Sequence, residues 1–183
     1  MTSAGNSIIH FHQRETETGS GSINDYMLLN DQMVVFLSDK VEMQNKLYYQ
    51  VYGKDCLPIS EPVLIAEYNV PKGWKRPNYF NVIQSKNKEF FEVEYSIPGK
   101  KDENDQFGYK VLDKNFNVVS EGEYESPYPS RESDFTNHYL SNTGDLFVGM
   151  KVYNVNEKGR VRDFASLKKY VVFLIQNGEL VEM

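Results

Sequence analysis

The strand-like phrase "NDQMVVFLS" (Asn30–Ser38) returns as "NKEFFEVEYS" (Asn87–Ser96) and again as "TGDLFVGMKVY" (Thr143–Tyr153). With Met33, Phe90 and Leu146 in register, the offsets are 57 and 56. A second series, "LYYQVYGKD", "FGYKVLDKN" and "KYVVFLIQN", starts at Leu47, Phe107 and Lys169, offset by 60 and 62. A third pairs "SEPVLIAEYNVP" with "SEGEYESPYP", 60 residues apart from Ser60 to Ser120. A shorter strand leads each unit: "DYMLL" (Asp25–Leu29), "NYFNVIQ" (Asn78–Gln84) and "TNHYLS" (Thr136–Ser141). Three series at nearly one spacing mean that one supersecondary unit is repeated. Such a unit buries its apolar face against its neighbours.

Each unit reads as four strands joined by hairpins. Asn30-Asp31, Lys86-Asn87-Lys88 and Asn142-Thr143-Gly144 stand where the first hairpin turns, and Asn and Gly tolerate the positive φ that tight hairpins need. Asn177-Gly178 is the strongest single turn signal in the chain. Helical patterning is nearly absent; "DFASLKK" (Asp163–Lys169) reads as a loop rather than one helical turn. The prediction is an all-β protein of antiparallel four-stranded units resembling β-propeller blades. "PGKKDENDQ" (Pro98–Gln106) and "NVNEKGRVRDFAS" (Asn154–Ser166) are the long loops between second and third strands.

The predicted organisation is an N-terminal arm (1–22) and repeat units at 23–75, 76–134 and 135–183. Met183 falls level with Glu121 of the second unit, so the third is expected to lack its last strand and the propeller to be incomplete. The arm contains one further strand-like stretch, "NSIIHFHQ" (Asn6–Gln13), which either ends a preceding blade or clasps the third.

"FGYKVLDKNFNVVSEGEYESPYP" followed by "DFTNHYLSNTGDLFVGMKVYN" resembles a repeat of uncharacterised bacterial proteins, in which a "GYKVFD-N" strand leads to an acidic strand ending in "PY" and then to "NY-ND-G". The similarity spans Asn78 to Tyr153, with fainter echoes on either side. It implies larger, exported, propeller-like proteins of no established activity, and hence a periplasmic or extracellular setting. Its motifs are turn and core residues and carry no catalytic assignment. This sequence departs from the pattern in being shorter and in having no signal peptide, as expected of a fragment or excised domain.

Composition sets outer limits. At 183 residues, 40% hydrophobic and 25% charged, the chain can bury a core. A net charge of −6 argues against non-specific nucleic-acid binding, which requires a basic field. No apolar run approaches the roughly 18 residues of a membrane-spanning helix. A single cysteine, Cys56, excludes an internal disulfide framework, and no histidine neighbours it as a base would.

Several residue patterns could carry chemistry, and each also has a plain structural role. His10 and His12 of "HFH" share a strand face at a spacing that can hold a metal, with His138 the one other histidine; two exposed side chains are the simpler reading. Asp102, Asn104 and Gln106 alternate like a calcium loop, but Gly108 is displaced, which favours a solvated acidic loop. Glu121, Glu123 and Glu125 face one way on an outer strand, as do Glu92 and Glu94 on a second strand. They suit either glycosidic acid–base pairs or charged strands that deter aggregation, the latter favoured. Trp74, in the basic loop "PKGWKRP", and Tyr79, Tyr124 and Tyr128 are the expected binding aromatics; Tyr48, Tyr52, Tyr68 and Tyr139 are further candidates. No catalytic residue, metal site or cofactor is assigned. The expected function is a non-catalytic repeat module binding protein or glycan, with oligomers through open strand edges. The alternatives are a propeller-based carbohydrate-active enzyme using paired Glu, or an autonomous β-sandwich.

Overall fold

A computed structural model describes residues 22–41, 43–70, 80–100, 102–155 and 167–183. The "HFH" arm, Trp74 and Tyr79 lie outside these residues, as do 163–166 of "DFASLKK"; Leu167–Lys169 begin a strand. The described residues form twelve strands and no helix. They build three antiparallel sheets in the orders β1-β2-β3-β4, β5-β6-β7-β8 and β9-β10-β11-β12, each a meander with the topology of a propeller blade. The strands are β1 (Ser22–Leu29), β2 (Gln32–Val41), β3 (Gln44–Tyr52), β4 (Val63–Asn69), β5 (Asn81–Gln84), β6 (Phe90–Ile97), β7 (Asn104–Asp113), β8 (Val118–Pro129), β9 (Ser133–Leu140), β10 (Leu146–Tyr153), β11 (Leu167–Gln176) and β12 (Glu179–Glu182).

The turn chemistry explains the hairpins. Asn30 and Asp31 take φ of 50° and 59°, and Asn177 and Gly178 take 52° and 80°, so both two-residue turns put both central residues in the left-handed region. Lys88 (φ 61°) and Gly144 (φ 90°) supply that conformation in the other two. The third unit departs from expectation. The Asn177-Gly178 turn folds the chain back, and Glu179–Glu182 pairs with Phe173–Gln176 as the fourth strand that was expected to be missing.

Two compact units divide the chain, 1–67 and 68–183. In the first, Val34, Val35, Phe36 and Leu47 form the fully buried centre of the β2–β3 pair. Ser60 closes the β3–β4 connection, accepting from Val51 N through its hydroxyl and from Gln50 Nε2 through its carbonyl.

In the second unit, the second and third sheets share one core. Phe107, Tyr109, Val111 and Tyr124 from β7 and β8 pack with Leu140, Leu146, Val148 and Ile175 from β9–β11. Burying a large apolar side chain of this kind contributes about 1.5–3 kcal/mol. Phe135 lies across the seam, its ring centroid 4.0 Å from that of Phe107. At the hairpin tips, Asn87 donates its backbone N–H to Asn142 Oδ1 (3.0 Å) and its Nδ2 to the Asn142 carbonyl (3.1 Å). Corresponding turns of neighbouring repeats are thereby tied together.

Candidate functional sites

Register decides which side chains meet. Across the second sheet, Glu92 stands opposite Val111, and Glu94 opposite Tyr109, so both carboxylates face the core shared with the third sheet. Glu121, Glu123 and Glu125 pair with Lys110, Gly108 and Gln106 and point to the other face. There they are solvated: Lys110 Nζ reaches Glu121 at 3.0 Å, Tyr95 Oη donates to Glu123 at 2.9 Å and Asn104 Nδ2 to Glu125 at 2.8 Å. The two Glu sets therefore do not flank one cleft as a glycosidic acid and base would.

Glu92 is 0% exposed and Glu94 6%, a correction to their reading as a charged surface row. The reason is position: β6 is an inner strand, and the third sheet covers its carboxylate face. His138 of β9 projects between them. Its Nδ1 lies 2.5 Å from Glu94 Oε2 and 3.8 Å from Glu92 Oε1, with 8% of its side chain exposed. Tyr124 Oη donates to Glu94 Oε2 at 3.2 Å. Neither Glu92 oxygen nor His138 Nδ1 has an aligned hydrogen-bond partner.

The electrostatics follow from enclosure. Burial pushes the Glu92 carboxyl up to about 6, a rise that His138 opposes and Glu94 reinforces. Burial works to lower the His138 imidazole, but the two carboxylates outweigh it and hold it raised to about 10. The Tyr124 phenol is raised well beyond its usual range, first by burial and then by the charges of Glu94 and Glu92.

A second feature lies on the opposite, outer face of the third sheet. A groove of about 680 Å³ is lined by Asp134, Phe135, Thr136, Asn137, Lys151, Tyr153 and Tyr170. Lys151 pairs with both Asp134 and Tyr170 in the ladder, and its Nζ sits 5.8 Å from the Tyr170 ring centroid. Tyr170 is 60% exposed. Gly149 opposite Asn137 removes a side chain from the next row of the face, and a Cβ there would meet Thr136 Oγ1 at 3.1 Å.

The aromatics singled out from sequence fall elsewhere. Tyr124 is buried and stacked on Phe107, centroids 5.0 Å apart, which removes it from any binding surface. Tyr68 is buried and stacked on Tyr95. Tyr128 is half-buried under the Lys169 ammonium, 5.6 Å from its ring centroid, while Tyr139 is exposed. Cys56 is an exposed free thiol in the turn after β3. Asp102 pairs with Arg131 at 3.0 Å, and Asn104 and Gln106 belong to β7, so the calcium-like alternation is strand and ion pair. Tyr153 and Tyr170, which line the groove, were not singled out from sequence; alternation of Tyr with Lys along β10 and β11 was the available signal.

Among the described residues no helix is long and apolar enough to cross a membrane. No family model matches the chain, and no curated protein matches it. Two solved structures show a distant likeness to this chain. An endo-arabinase from Bacteroides thetaiotaomicron VPI-5482 shares 10% identity over 93% of this chain and 62% of its own, with a TM-score of 0.41. An acylaminoacyl peptidase from Pyrococcus horikoshii shares 9% over 89% of this chain and 32% of its own, with a TM-score of 0.35.

Proposed function

We propose that this chain is a non-catalytic, blade-type repeat module that binds a glycan through the groove on β9–β11. The supporting observation is the composition of that groove: an exposed Tyr170 ring beside Asp134, Thr136, Asn137 and Lys151. A flat aromatic face stacks on the C–H face of a sugar ring, while the surrounding carboxylate, amide and ammonium bond its hydroxyls. An exported bacterial parent is part of the proposal, on the strength of the repeat's resemblance.

A protein partner is the second reading. It is favoured by Tyr139, Val172 and Val181, which are 57%, 48% and 41% exposed. Affinity electrophoresis in gels containing neutral or acidic polysaccharides separates the two. Retardation that Tyr170→Ala weakens at least tenfold, with unchanged circular dichroism, supports the glycan site. Equal retardation of wild type and variant, or none in any gel, overturns it.

A further inference from the structure

The Glu92–Glu94–His138 cluster contains a carboxylate that the rest of the fold leaves unexplained. An enclosed carboxylate costs several kcal/mol unless its oxygens are bonded or its charge is compensated. Glu92 is fully buried, and neither of its oxygens has a hydrogen-bond partner. Its polar neighbour across the sheet seam is the His138 imidazole, whose Nδ1 is paired with Glu94 at 2.5 Å and stands 3.8 Å from Glu92 without an aligned hydrogen bond. Glu94 is thus bonded by Tyr124 and paired with His138, while Glu92 is left without an aligned hydrogen bond from the protein.

We propose that Glu92, Glu94 and His138 form a three-donor site for a divalent transition metal of the Zn²⁺ class, with water as the fourth ligand, joining β6 of the second sheet to β9 of the third. One oxygen of each Glu and one nitrogen of the His all lie within 4.8 Å of one another. Ligands about 2.0–2.1 Å from a tetrahedral zinc stand roughly 3.3 Å apart. The 3.8 Å and 2.5 Å separations at His138 bracket that spacing, so side-chain adjustment alone brings the three donors into place. Two carboxylates and a neutral imidazole balance a dication in charge, and the ion gives the unbonded Glu92 oxygen a partner. Oxygen donors with one imidazole suit Zn²⁺ better than Ca²⁺, which takes about six to eight oxygens. The Tyr124 hydroxyl, already bonded to Glu94, orients that ligand from outside the coordination sphere. Glu94 and His138 each keep 8% of their side-chain surface open to solvent.

The test uses the full chain with His10 and His12 replaced by Asn, because "HFH" is a competing zinc binder and the chain has three histidines in all. After EDTA treatment and dialysis, ZnCl₂ is titrated by calorimetry while the remaining imidazole is followed by ¹H–¹⁵N NMR. One equivalent binds, and the His138 ring signals shift with the same midpoint. At hundredfold excess over Kd the melting temperature rises by roughly 5–10 °C, as expected for a domain of this size. The near-isosteric Glu92→Gln variant in the same background weakens zinc binding at least tenfold, and CaCl₂ does not substitute. Zinc uptake that leaves the His138 signals unmoved, or equal affinity in Glu92→Gln, overturns the proposal. So does a chelated protein that takes up no zinc. Because the NMR arm needs no change in the cluster, a variant that fails to fold leaves the question decidable.

Discussion

Single residues in this fold matter through what their neighbours require of them. Gly108 pairs with Tyr95, and a Cβ at Gly108 would lie 2.1 Å from the Tyr95 Cζ. The Tyr95 ring occupies that space because it stacks on Tyr68, centroids 4.5 Å apart, and donates to Glu123. Gly108→Ala is expected to destabilise by about 1–3 kcal/mol through overpacking. In a Tyr95→Ala background the same change should be neutral or favourable, since Ala suits a strand better than Gly. Chemical denaturation of the four proteins checks this; an equal loss in both backgrounds refutes the steric account. Asp113 supplies a pH signature. Its carboxylate accepts from the Asn117 side chain and from the backbone N–H of Asn115 and Asn117, and these bonds, the Asn117 side chain first, lower its pKa. A folded value below the unfolded one means that the stabilisation is present above the unfolded pKa and lost as pH falls through the folded pKa. Asp113→Asn should therefore lower the melting temperature at pH 7 and match wild type near pH 2. The cost is a fraction of a kcal/mol to about 1, because the turn is solvated. A constant difference across that range would rule out the charge as its source.

At the scale of elements, the hairpins were the most legible part of the chain. Asn30-Asp31 and Gly144 announce positive φ in the residue types themselves, and the structure has it at each, whereas in Lys86-Asn87-Lys88 it falls on Lys88 rather than on Asn87. β12 is hidden by the repeat spacing, which sets Met183 level with Glu121, whereas Asn177-Gly178 shortens the route back to Phe173–Gln176. Gly178→Ala tests the turn's hold on that strand. An Ala at φ +80° costs about 1–2 kcal/mol, and its Cβ would meet the Glu123 carbonyl at 3.1 Å. Faster hydrogen exchange across Glu179–Glu182 is expected, with β9 and β10 protected as before. Unchanged exchange in β12 would show that Leu180, packed against the core, holds the strand without the turn. The Glu-x-Glu pattern of β6 reads from sequence as an acid–base pair or as a charged strand, and not as a buried cluster. What covers it is His138 in the next repeat, and alternation within one strand carries no information about the sheet laid over it.

For the molecule as a whole, the question is how strongly one repeat depends on the next. In tandem-repeat proteins stability is approximately a sum of unit terms and nearest-neighbour interface terms. The interface between the second and third sheets has two distinguishable parts: the aromatic seam of Phe107, Tyr124 and Phe135, and the Asn87–Asn142 link at the hairpin tips. The seam is enclosed, so Phe107→Ala removes a buried ring and leaves a cavity, at about 3–5 kcal/mol. The link is solvated, so Asn142→Ala removes the hydrogen bond to its Oδ1, keeps the one to its backbone carbonyl, and costs about 1 kcal/mol or less. If the seam couples the repeats, Phe107→Ala speeds exchange of the β9 and β10 amides as much as those of β6 and β7, although residue 107 belongs to the second sheet alone. Asn142→Ala then loosens only the two turns. Hydrogen exchange resolved by strand decides between this and independent sheets: acceleration confined to β5–β8 in Phe107→Ala would show that each blade holds itself together and that the shared core adds affinity between finished units.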